Sequence, residues 1–112
     1  MMAMLMGLKS VSPADVQRLV QGGQARVYDV NSSQSWQKGH VPGAVHLDSE
    51  GFGTTDLPAD KQAALVFYCS NPLCRKAPIA AKRAKAMGFE NVRVMSAGIS
   101  GWISAGLPTE GA

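Results

Sequence analysis

Cys69 and Cys74 stand just ahead of two cations, Arg75 and Lys76. Upstream, Ala64-Leu65-Val66-Phe67-Tyr68 is an unbroken apolar run; downstream, Ala77 to Met87 has helical spacing. A strand, a cysteine, a short loop and a helix start are the parts from which a reactive thiolate is made. Loop N–H groups converge on the sulfur, and the helix dipole favours its negative form. Cysteines so placed have pKa values lowered to about 3.5–7.5. The same cradle, formed by Ser70, Asn71, Leu73, Cys74, Arg75 and Lys76, suits an incoming oxyanion such as thiosulfate or phosphate. The residues alone leave a second reading open, in which Cys69 is an inert thiol ending a core strand.

Other reactive types are sparser. His40 and His46, followed much later by the cysteine pair, do not have the spacing of a common zinc module, and no metal or organic cofactor is expected. His40 is expected to order the turn before Pro42, and Asp29, at a strand end, can hold the following loop through backbone hydrogen bonds. Trp36 and Trp102 read as packing anchors.

These residues need elements to position them. Ser12-Pro13-Ala14-Asp15 opens a helix that Gly22-Gly23 stops. Strands are expected at Ala25–Val30, Ala44–Leu47, 64–68 and Asn91–Met95, with a polar loop over 31–39 and one helical turn at Ala59–Gln62. In the helix over 77–87, Ile79, Ala80, Arg83, Ala84 and Met87 share one face, and a last helix covers Ile99–Ala105. Alternating helices and strands indicate an α/β fold with a small, mainly parallel sheet and right-handed crossovers. Ligands of such sheets bind beyond the carboxyl ends of the strands, where Cys69 lies.

Composition narrows the classes further. The chain has 112 residues, 46% hydrophobic and 17% charged, which fits one globular domain and excludes global disorder. The net charge of +3 is concentrated in Arg75, Lys76, Lys82, Arg83 and Lys85, without the long basic stripe and interleaved aromatics of a nucleic-acid binder. No apolar run reaches the ~20 residues that span a bilayer, so neither nucleic acid nor membrane is an expected partner. Met1 to Leu8 is apolar but short and lacks a basic start, unlike a signal peptide. A cytoplasmic setting with two reduced thiols is the resulting expectation.

Several stretches, in order, resemble the landmarks of the rhodanese-like domain family. They are Tyr28-Asp29-Val30, Gly39-His40-Val41-Pro42-Gly43-Ala44, Val66-Phe67-Tyr68-Cys69, Gly88-Phe89-Glu90-Asn91-Val92 and Gly98-Ile99-Ser100-Gly101-Trp102, closing with Ala105-Gly106-Leu107-Pro108. The resemblance spans about residues 12–109, leaving an extension over 1–11 and a tail over 110–112. It implies a parallel sheet flanked by helices. It also implies a sulfurtransferase that moves sulfane sulfur from thiosulfate or a persulfide donor to a thiol acceptor, small or protein. Cys69 is then the catalytic nucleophile, carrying the sulfur as a persulfide, with Asp29 and His40 as structural neighbours.

The chain departs from the family pattern at three points. Asn31 and Ser35 stand where the family usually has an Arg and a Glu. Five residues separate Cys69 from Arg75 where four are usual, so the loop is longer. Cys74 lies inside it, a candidate resolving cysteine able to attack a Cys69 persulfide, or else a filler at the helix start. The wider loop also resembles rhodanese-fold phosphatases and arsenate reductases, although Tyr68 replaces the His that usually precedes their cysteine. A non-catalytic sulfur-carrier or interaction module is the remaining alternative.

Overall fold

The structure is a computed structural model that describes residues 8–111. Most of the N-terminal extension expected over 1–11, including the apolar start at 1–7, lies outside that range, as does residue 112. Among the described residues there are five strands, β1 (Lys9–Ser10), β2 (Arg26–Asp29), β3 (Val45–His46), β4 (Leu65–Tyr68) and β5 (Val92–Val94). They form one parallel sheet in the order β1-β5-β4-β2-β3. The helices are α1 (Pro13–Gln21), α2 (Ser33–Lys38), α3 (Lys76–Ala86) and α4 (Gly98–Ser104).

β4 lies at the centre because it can be covered on both faces. Leu65 and Phe67 enter one core cluster with α3, while Val66 and Tyr68 enter the other with Val16, Val41 and Trp102. That division is the two-residue alternation of a strand, and each large side chain so buried contributes about 1.5–3 kcal/mol. Cys69 falls on the α3 side.

The start of α1 is as the sequence predicts: the Asp15 N–H donates to the Ser12 hydroxyl at 3.1 Å, with Pro13 in the first turn. Elsewhere the structure corrects the local reading. The expected loop over 31–39 contains α2, capped by the Ser32 hydroxyl, which accepts from the Ser35 N–H at 3.2 Å. Its Ser and Gln residues carry no apolar period, so packing of Trp36, not sequence pattern, marks it as helical. The turn expected at 59–62 is not helical, because the Asp60 carboxylate takes the Gln62 N–H at 2.9 Å and competes with a helical bond. A single 3₁₀ turn forms at Thr54–Asp56 instead.

The inner face of α3 also differs from expectation. Ala77, Ala80, Ala81 and Ala84 are buried against the sheet, whereas Ile79 is 51% exposed. Small side chains let the helix lie close to β4 and β5, and Phe52 and Phe89 fill the remaining volume. Arg83 does not enter the core; its Nε donates to the Phe52 carbonyl at 3.0 Å with the guanidinium over the Phe52 ring.

Candidate active site

β4 ends at Tyr68, and the chain leaves the sheet with Cys69 still buried. Two elements fix the loop that follows. From below, the first residues of α4 donate to it: Ile99 N–H to the Cys69 carbonyl at 2.9 Å and Ser100 N–H to the Ser70 carbonyl at 3.0 Å. From within, Asn71 closes the turn, its Oδ1 accepting from Leu73 N–H at 2.9 Å and its carbonyl from Cys74 N–H at 3.1 Å.

Gly98 makes the first of these contacts possible. Its φ is +68°, and a Cβ there would lie 2.5 Å from the Ser70 carbonyl carbon and 2.6 Å from the Asn71 nitrogen. Only a residue without a side chain lets α4 approach the loop this closely.

The loop then enters α3 through Arg75 and Lys76, both exposed. Among the described residues, no acceptor takes the backbone N–H groups of Arg75, Lys76 and Ala77. These are the free donors of a helix start, and with the two side-chain cations they favour negative charge.

Cys69 and Cys74 are joined as a disulfide, with Cα atoms 6.4 Å apart. The expectation of two reduced thiols is corrected accordingly; the separation is inside the range that a bridge spans without backbone movement. Beside the disulfide is a cavity of about 10 Å³ lined by Asn71, Ala77, Met95 and Ser96 as well as the two cysteines. That is room for about one water molecule. Of the residues assigned to the cradle, Asn71 and Cys74 meet Cys69 at this cavity. Leu73 points outward at 85% exposure, and Lys76 faces a separate cleft with Asn31, His46 and Asp48.

Behind the loop lies a buried polar network. The Tyr68 hydroxyl donates to Asp29 Oδ2 at 2.6 Å and accepts from the Val41 N–H at 3.0 Å. Asp29 Oδ1 accepts from the Asn31 N–H at 2.8 Å. Burial and the neighbouring Asp29 carboxylate push the Tyr68 hydroxyl far above the ordinary tyrosine range, so it stays a proton donor. The network joins β2, β4 and the Val41-Pro42-Gly43 turn, and it holds the carboxyl ends of both central strands in register.

Asn31 is the site residue whose role sequence reasoning missed. Its Oδ1 accepts from the Ser70 hydroxyl at 2.7 Å and its carbonyl accepts from His46 Nε2 at 2.8 Å. A neutral amide thus ties the cysteine loop to β2 at the position where the family usually carries an Arg. Ser96, buried at the cavity and paired with the Ser10 hydroxyl at 2.9 Å, was equally silent in the sequence. His40 stands apart from the cavity. It is stacked on Trp36, its Nδ1 is 2.9 Å from the Trp36 carbonyl, and its backbone pairs with Glu110. Among the described residues, no cluster of His, Cys, Asp and Glu is arranged to hold a metal.

Residues 12–105 match the model of the rhodanese-like domain. The chain belongs to the rhodanese-like domain family. A thiosulfate sulfurtransferase, GlpE of Ectopseudomonas mendocina, is 32% identical over 102 residues, which is 91% of this chain and 90% of that protein. The HTH-type transcriptional regulator Rv0324 of Mycobacterium tuberculosis is 31% identical over 103 residues; the match takes in 90% of this chain and 44% of the regulator. The crystal structure of the BH2092 protein of Bacillus halodurans superposes with a TM-score of 0.83 at 24% identity, covering 96% of this chain and 80% of that one. The fold is therefore rhodanese-like, and the family membership and GlpE relatives support a sulfurtransferase-like role.

Proposed function

We propose that this rhodanese-like chain is a sulfurtransferase in which Cys69 accepts sulfane sulfur from thiosulfate or a persulfide donor. The observation that carries the reading is the position of Cys69. It ends the buried central strand inside a loop that leads into the free N–H groups and paired cations at the start of α3. A thiolate there is stabilised, and so is the anionic donor that must approach it. The Cys69 thiolate attacks the outer sulfur of thiosulfate, the S–S bond breaks, and sulfite leaves with the bonding pair. A thiol acceptor then attacks the outer sulfur of the persulfide and regenerates the Cys69 thiolate. No step calls for a metal or an organic cofactor.

Since Cys69 is bonded to Cys74 in the structure, reduction precedes loading. The test is intact mass spectrometry of the dithiol-reduced, desalted protein after thiosulfate treatment, with sulfite measured in parallel. Sulfite release with sulfur delivered to Cys69 supports the reading. Cys69→Ser, nearly isosteric, should release no sulfite while keeping its circular dichroism spectrum. Equal sulfite release from wild type and Cys69→Ser overturns the assignment.

A further inference from the structure

Transfer of sulfur through Cys69 needs one thiol, yet a second is held within bonding reach of it. Asn71 does the holding: with one residue accepting from both Leu73 and Cys74 N–H groups, the loop curls back and brings Cys74 to Cys69. The two sulfurs are not equivalent. Cys69 is 3% exposed, whereas Cys74 is half-buried at the rim.

We propose that Cys74 is the resolving cysteine of a dithiol-coupled cycle in which the donated sulfur leaves as sulfide, an inference that rests on Cys69 being the sulfur acceptor. After sulfite departs, the Cys74 thiolate attacks the inner sulfur of the persulfide, the Sγ of Cys69. The bond between that Sγ and the outer sulfur breaks, and the outer sulfur leaves with the pair as hydrosulfide. The Cys69–Cys74 disulfide of the structure is the product. The two electrons that reduce sulfane sulfur to sulfide come from the two cysteine thiolates.

An external dithiol restores them. Its thiolate attacks the half-exposed Cys74 sulfur, the more accessible of the two, and expels the buried Cys69 as thiolate. Its second thiol resolves the mixed disulfide on Cys74. The balance per cycle is thiosulfate plus a dithiol giving sulfite, sulfide and a disulfide. The order of steps follows from the disulfide: Cys69 bonded to Cys74 has no free thiolate to attack a donor, so reduction precedes each new loading.

A single-turnover experiment separates the steps, because sulfite reports loading and sulfide reports resolution. Protein reduced with a dithiol and desalted is mixed with excess thiosulfate in the absence of any added thiol. Wild type should release sulfite and sulfide in equal amounts, one of each per chain, and end with Cys69 and Cys74 joined on peptide mapping. Cys74→Ser should release sulfite but no sulfide, and retain one added sulfur on Cys69 until dithiol is supplied. A wild-type persulfide that persists beside a free Cys74 thiol overturns the inference and leaves the sulfur-acceptor reading standing. Sulfide released by Cys74→Ser as fast as by wild type also overturns it. No sulfite from wild type refutes the sulfur-acceptor reading, and the resolving role with it. The wild-type arm alone decides the matter should the variant fold poorly.

Discussion

Replacing Tyr68 with Phe removes one oxygen from the network behind the cysteine loop, and the structure sets the size of the effect. The hydroxyl donates to the Asp29 carboxylate at 2.6 Å and accepts from Val41 N–H at 3.0 Å, all in a buried setting. A hydrogen bond to a charged group is worth about 1.5–3 kcal/mol, and a buried N–H left without a partner costs about 1–3 kcal/mol more. The expected loss is about 3–5 kcal/mol, a large share of the roughly 5–15 kcal/mol of a typical domain. Urea unfolding should show a lower midpoint with an unchanged slope, since the surface exposed on unfolding is the same.

The pH dependence gives a second, independent reading of the same oxygen. Burial and the Asp29 charge raise the Tyr68 pKa in the folded chain, whereas in the unfolded chain it returns to about 10. Below that value both states hold the proton and the stabilisation is fully present. Above it the unfolded chain loses a proton that the folded chain keeps, so stability falls as pH rises, by about 1.4 kcal/mol per pH unit for this group. Tyr28, also raised by burial, adds to the slope in both proteins. Wild type minus Tyr68→Phe isolates the Tyr68 share. A destabilisation below about 1 kcal/mol, or identical alkaline slopes, would refute the network as described.

Two further substitutions probe the loop. Gly98→Ala combines a left-handed φ with backbone contacts of 2.5–2.6 Å, whereas Gly106→Ala meets a φ of +76° with no atom within 4 Å of its new Cβ. The first should cost about 2–5 kcal/mol and reduce sulfur uptake, the second only about 1–2 kcal/mol; equal midpoints in thermal melts would show that α4 does not pin the loop. Arg75→Ala and Lys76→Ala should lower kcat/KM for thiosulfate by up to about fivefold each, the scale of exposed charge pairs. Use of an uncharged persulfide donor should change less, and an equal fall with both donors would mean that these cations shape the loop without reading charge.

Much of this protein was legible in its sequence, because the deciding interactions are local. The apolar run at 64–68 reads as a strand of the kind covered on both faces, and it became the central strand β4. Ser12, Pro13 and Asp15 act within one helical turn, so the start of α1 followed from residue types alone. The position of Cys69 at a strand end before a helix followed from both. Contacts between distant segments were not legible. Asn31 and Ser70 are 39 residues apart, and their bond exists because β2 and β4 lie side by side in a fixed register. β1 is two residues long and owes its strand conformation to pairing with β5. The buried face of α3 turned toward its alanines because close approach to the sheet favours small side chains, which a count of apolar residues undervalues. Sequence spacing made a meeting of Cys69 and Cys74 conceivable. Their bond is decided by the Asn71 turn, which sets the loop's curvature, and by the α4 contact that only a glycine at position 98 admits.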